Sequence, residues 1–80
     1  MSKLRRISGK EVASLLIKEG FEKVRQKGSH VRLVLKDVET SHYVTVPLHV
    51  EIDRGTLKSI IRSLERCLTS EKIKELFYSD

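Results

Sequence analysis

Gly28-Ser29 separates two stretches in which polar and apolar residues alternate, and this short interruption constrains the fold more than any other feature of the chain. Between Phe21 and Lys27, Val24 falls on one side and Lys23, Arg25 and Lys27 on the other; between His30 and Lys36, Val31, Leu33 and Leu35 share a side. Two strands this close form a tight antiparallel hairpin. A glycine first in a two-residue loop suits a type II′ turn, whose register pairs Lys27 with His30, Arg25 with Arg32 and Lys23 with Val34. Directly opposed residues share a face. The hairpin is therefore expected to turn one apolar face to helices and to carry Lys23, Arg25, Lys27, His30 and Arg32 on the other. A second turn, around Asp37–Ser41, leads into a third strand, His42–Val46, with Val44 and Val46 on its apolar side and Pro47 as its stop.

Helices flank this sheet. Ser8-Gly9-Lys10-Glu11 reads as a capping box, with Ile7 and Val12 as the hydrophobic staple that accompanies it. Val12, Leu15 and Leu16 continue the stripe, and Gly20 is placed to end the helix in a left-handed conformation with Phe21 packed on Leu16. After the third strand, Asp53 caps a helix with the stripe Leu57, Ile60, Ile61, Leu64 and Leu68. Thr69-Ser70 then caps a short last helix with Ile73, Leu76 and Phe77 on one face. No repeat, low-complexity tract or linker interrupts this order. The expectation is one α+β unit over residues 1–80: α-β-β-β-α, a three-stranded antiparallel sheet with helices on one face, and a C-terminal helical extension at 69–80.

Composition narrows the classes of function. Eighty residues with a hydrophobic fraction of 39% supply one small core. The chain has no run of eighteen apolar residues and its first six residues lack the apolar stretch of a signal peptide, so a soluble cytoplasmic protein without a membrane partner is expected. Cys67 is the single cysteine, which excludes an internal disulfide and a cysteine-based zinc site. The net charge of +5 conceals an asymmetry: residues 1–36 carry ten basic side chains against Glu11, Glu19 and Glu22, a balance of +7, while the remainder is −2. A pole of this kind attracts polyanions, nucleic acid foremost; a merely solvated surface accounts for the charge equally well.

His30 is the side chain best placed for chemistry. It follows a tight turn on a rigid strand, with Lys27 expected across from it. A nearby ammonium favours neutral imidazole, whereas bound phosphate favours imidazolium. Those are the two states used when a 2′-hydroxyl attacks its adjacent phosphorus, with cations such as Lys27, Arg25 and Arg32 stabilising the phosphoryl charge. The plain alternative is an ordinary surface histidine. His42 is expected to be partly buried beside Val44 and Val46, and His49 to hydrogen-bond in a loop. The spacing of the three histidines matches no metal-ligand signature, and neither a metal nor a cofactor is expected. The glycines build no phosphate-binding loop, and Ser29 points away from His30, which disfavours a hydrolase triad. Ser29 either orients a phosphate or simply fills the second turn position. Tyr43 is the one aromatic near the open side of the strands, which leaves little for base stacking.

Gly28-Ser29-His30 after a basic strand, Val46-Pro47-Leu48-His49, Ile52, and Gly55-Thr56-Leu57 with Ile60 and Ile61 resemble, in order and spacing, the HicA messenger-RNA interferase toxins. The resemblance runs from Ser8 to about Leu68. It implies a fold like the double-stranded RNA-binding domain and a type II toxin that cleaves mRNA without a metal, using one histidine that corresponds to His30. On this reading Lys23, Arg25, Lys27, Ser29 and Arg32 are the RNA-binding residues. The resemblance also implies a HicB antitoxin that masks the active surface and helps repress the shared operon, so that DNA is met only through the complex. Many members carry a second histidine after the first; here that place is Val31, on the opposite strand face. Two rivals remain: a non-catalytic RNA-binding module, in which His30 is one more backbone contact, and a structural subunit of a DNA-bound repressor.

Overall fold

The computed structural model describes residues 2–79; Met1 and Asp80, the ends of the expected 1–80 unit, lie outside the described residues. The elements in chain order are β1 (Lys3–Leu4), α1 (Gly9–Lys18), β2 (Glu22–Lys27), β3 (His30–Lys36), β4 (Ser41–Pro47), α2 (Arg54–Leu64), α3 (Ser70–Phe77) and β5 (Tyr78–Ser79). Strands β2, β3 and β4 form the expected antiparallel sheet in that order. No helix among the described residues is long and apolar enough to cross a membrane.

Local signals set the ends of α1. The Glu11 amide donates to the Ser8 hydroxyl at 3.1 Å and the Ser8 amide donates to the Glu11 carboxylate at 3.2 Å, which closes the capping box. Ile7 and Val12 are both buried, as a staple requires. At the other end Gly20 has φ +108°, the Phe21 amide donates to the Leu16 carbonyl and the Gly20 amide to the Ile17 carbonyl. This is the Schellman pair of bonds, and it delivers Phe21 into the core beside Leu16.

The core lies between the helices and one face of the sheet. Val31, Leu33, Val44 and Val46 meet Val12 and Leu16 of α1, Leu57, Ile60, Ile61 and Leu64 of α2, and Ile73, Leu76 and Phe77 of α3 in one buried cluster. Helix α2 is capped by Asp53, which accepts from the Thr56 amide at 3.0 Å. It is shorter than the apolar stripe suggests: the chain turns over Glu65–Cys67, and Leu68 packs on the core from beyond the helix end. Thr69 then accepts from the Lys72 amide at 3.1 Å and starts α3. The extension is part of the core, since Phe77 is wholly buried.

Two features depart from expectation. The first is a β-bulge between Lys23 and Arg25: Lys27 pairs with His30 and Arg25 with Arg32 as expected, but Lys23 pairs with Leu33 and Glu22 with Val34. Val24 takes the irregular position and is 49% exposed rather than on an apolar face. Phe21 and Arg25 have the same parity, so in an unbroken strand they would share a face; one of them needs the core and the other water. The extra residue resolves that conflict by switching faces between them. The second is a ribbon that no periodicity announces. Lys3 pairs with Ser79 and Leu4 with Tyr78, and Arg5 donates from its amide to the Phe77 carbonyl and from its guanidinium to the Leu76 carbonyl, both at 2.8 Å. The segment before α1 is thereby tied to the segment after α3.

Candidate nucleic-acid interface

His30 owes its position to the turn before it and to a brace behind it. Gly28 has φ +58° and Ser29 does not have a positive φ, the combination of a type II′ turn, which matches the twist of the flanking strands. Across β3 and β4, His30 pairs with Pro47. The next residue, Leu48, donates its amide to the Ser29 carbonyl, and the Gly9 amide donates to the His49 carbonyl at 2.9 Å. The start of α1, the end of β4 and the Gly-Ser-His turn thus form one hydrogen-bonded block under the histidine.

The outer face of the sheet carries the charge. Arg25, Lys27, His30, Arg32 and Thr45 line an open hollow of about 220 Å³, and all five are exposed. Register explains the grouping: Lys27 faces His30, Arg25 faces Arg32, and Arg32 faces Thr45 on the third strand. The two ion pairs among the described residues are both made by Lys72, so no carboxylate neutralises this hollow. An uncompensated cluster of one imidazole and three cations attracts an anion with several oxygens. Ser29 is exposed in the turn before His30 but does not line the hollow, and its carbonyl accepts from the Leu48 amide.

Lys23 is not part of this group. The bulge moves it to the helix-facing side, where its ammonium donates to the Gln26 side chain at 3.0 Å. There it borders a separate groove of about 480 Å³ along α1, together with Lys10, Ile17 and Leu48. Neither of the other histidines lines the hollow. His42 is half-buried opposite Leu35 on the inner face, 3.4 Å from the Thr40 hydroxyl, and His49 is exposed in the loop after β4. Among the described residues no three of His, Cys, Asp and Glu are grouped to hold a metal ion. Sequence reasoning misses Thr45 in the hollow; it places Tyr43 on the open side of the strands but does not foresee its contact with Arg32. The same alternation that turns Val44 and Val46 inward turns Thr45 and Tyr43 outward.

Residues 9–65, from the start of α1 through α2, match the family described as the HicA toxin of bacterial toxin-antitoxin systems. The chain belongs to the HicA toxin family. Searches of curated proteins and of solved structures gave no match. The matched span contains the whole brace and the whole basic hollow, whereas the β1–β5 ribbon and α3 lie outside it. As a HicA-family protein it is a toxin with a cognate antitoxin.

Proposed function

We propose that this HicA-family toxin is an endoribonuclease that cuts messenger RNA at the hollow around His30. The observation that supports it is the placement of one solvent-open imidazole among Arg25, Lys27 and Arg32 with no carboxylate beside them. In the proposed reaction the 2′-oxygen forms a bond to the adjacent phosphorus while the bond to the 5′-oxygen breaks. The hydroxyl loses a proton and the leaving oxygen gains one, and His30 carries one of these transfers. The three cations hold the phosphate and offset the charge that builds on its non-bridging oxygens. Ser29, in the turn next to His30, assists in orienting the phosphate. No step calls on a metal.

The proposed partner is a HicB-type antitoxin that covers this face, and the proposed place of action is the cytoplasm, with DNA met only through the toxin–antitoxin complex. Replacing His30 by alanine tests the reading: cleavage should be lost while RNA is still bound. A non-catalytic RNA-binding module would have no cleavage to lose.

A further inference from the structure

Arg32 serves two neighbours at once. It lines the hollow that holds His30, and its guanidinium carbon lies 4.7 Å from the centroid of the Tyr43 ring. Tyr43 pairs with Val34 and Arg32 with Thr45, so ring, guanidinium and imidazole occupy the same outer face. Tyr43 keeps 51% of its surface open to solvent, whereas Val31, Leu33, Val44 and Val46 on the inner face are buried. The ring therefore contributes little to the core. Across from it in the register, Val34 is 3% exposed although it stands outside the core cluster.

A stacked aromatic ring and guanidinium at the border of a cationic hollow are the groups that hold an unpaired nucleobase, since both offer a flat face and the arginine adds charge. Spacing supports this use. Two residues along a strand advance about 6.6 Å, comparable to one nucleotide step in a single strand. Arg32 is one such interval from His30, and the level of Tyr43, opposite Val34, is two.

We propose that Tyr43 and Arg32 form a stacking platform for one unpaired base, one or two nucleotides from the phosphate held at His30. The proposal rests on the ribonuclease reading above and deepens it: the substrate is single-stranded at this point. A base inside an A-form duplex is paired and stacked and cannot reach the ring, so the platform excludes the duplex that the fold type would otherwise suggest.

The test walks one abasic nucleotide along a short single-stranded RNA and compares wild type with Tyr43→Phe and Tyr43→Leu. Leucine keeps an apolar side chain opposite Val34 without a π face, and thermal melts establish that each variant folds. Cleavage is read on the RNA itself and affinity on 2′-O-methyl copies, which cannot undergo 2′-hydroxyl attack. One abasic position should weaken binding and lower kcat/KM by about fivefold or more for wild type and Tyr43→Phe. Tyr43→Leu should show that loss already on the intact strand and no further loss at that position. Identical abasic profiles for wild type and Tyr43→Leu, or equal action on a fully paired duplex, overturn the platform and leave the ribonuclease reading standing. Abasic-sensitive binding without any cleavage removes the ribonuclease reading and keeps the platform. Failure to bind the single strand overturns both.

Discussion

A Cβ atom on Gly9 would stand 1.9 Å from the carbonyl oxygen of Pro47, the residue that pairs with His30 across β3 and β4. The neighbouring backbone atoms, Leu48 Cα and Pro47 C, would be at 2.7 and 2.8 Å. All three belong to main chain, so no side-chain rotation relieves the contact. The first residue of α1 is glycine because the end of β4 lies against it. Through that contact the helix supports the strand that supports the histidine.

Gly9→Ala should therefore disturb the site from the opposite side of the sheet. Forced overpacking of this kind typically costs about 1–3 kcal/mol. A lower urea midpoint together with reduced RNA cleavage is expected, although Gly9 does not line the hollow. Unchanged stability and cleavage would show that the brace is not needed.

The bulge makes a prediction about salt. Arg25→Gln, Lys27→Gln and Arg32→Gln should each make the slope of log affinity for RNA against log salt shallower, by about one unit at most. Lys23→Gln should leave the slope as it is, because Lys23 faces α1 and not the hollow. An equal effect of Lys23→Gln would mean that RNA also follows the helix side of β2.

How much of this was legible follows from the range of each interaction. The capping box, the Schellman ending and the Lys27–His30 pairing depend on residues within six positions of one another, and each could be read directly. The bulge could not be read from the alternation of β2 alone. Its cause is the demand that Phe21 be buried while Arg25, four residues on, be wet, and only the ending of α1 shows that Phe21 belongs to the core. The β1–β5 ribbon joins Leu4 to Tyr78, and two-residue strands have no period to detect. Within the site, His30, Arg25, Lys27 and Arg32 came from hairpin register. Thr45 was equally accessible to alternation, but the contact between Arg32 and Tyr43 depends on how far a guanidinium reaches across the sheet.

The terminal elements outside the family match should be structural. Phe77 is fully buried, and truncating a buried phenylalanine to alanine costs about 3–5 kcal/mol. Phe77→Ala should lower the denaturation midpoint steeply. Arg5→Ala, which removes one bond to the Leu76 carbonyl, should cost about 1 kcal/mol. An unaltered midpoint for Phe77→Ala would make α3 an appendage rather than a part of the core.

Acid should weaken the fold through its caps. Hydrogen bonds from the Thr56 hydroxyl and amide hold the Asp53 carboxyl below its usual range; the Ser8 amide and hydroxyl do the same for Glu11, and the Glu71 amide with the Ser70 hydroxyl for Glu71. A carboxyl whose folded pKa lies below its unfolded value stabilises fully above the unfolded value and loses that contribution as pH falls through the folded one. Thermal midpoints should thus decline on acidification below about pH 4. Asp53→Asn, still a competent cap, should flatten the decline. The same pH dependence in wild type and Asp53→Asn would remove Asp53 from the account.

The most direct measurement is cleavage of RNA, in the presence of a chelator, by wild type and His30→Ala at matched concentrations of folded protein. Chelator-resistant cleavage by wild type, reduced by about a hundredfold or more in His30→Ala with RNA affinity held within a few fold, is the predicted result. Equal cleavage by the two proteins, or none by wild type, would contradict the assignment of His30 as the catalytic group.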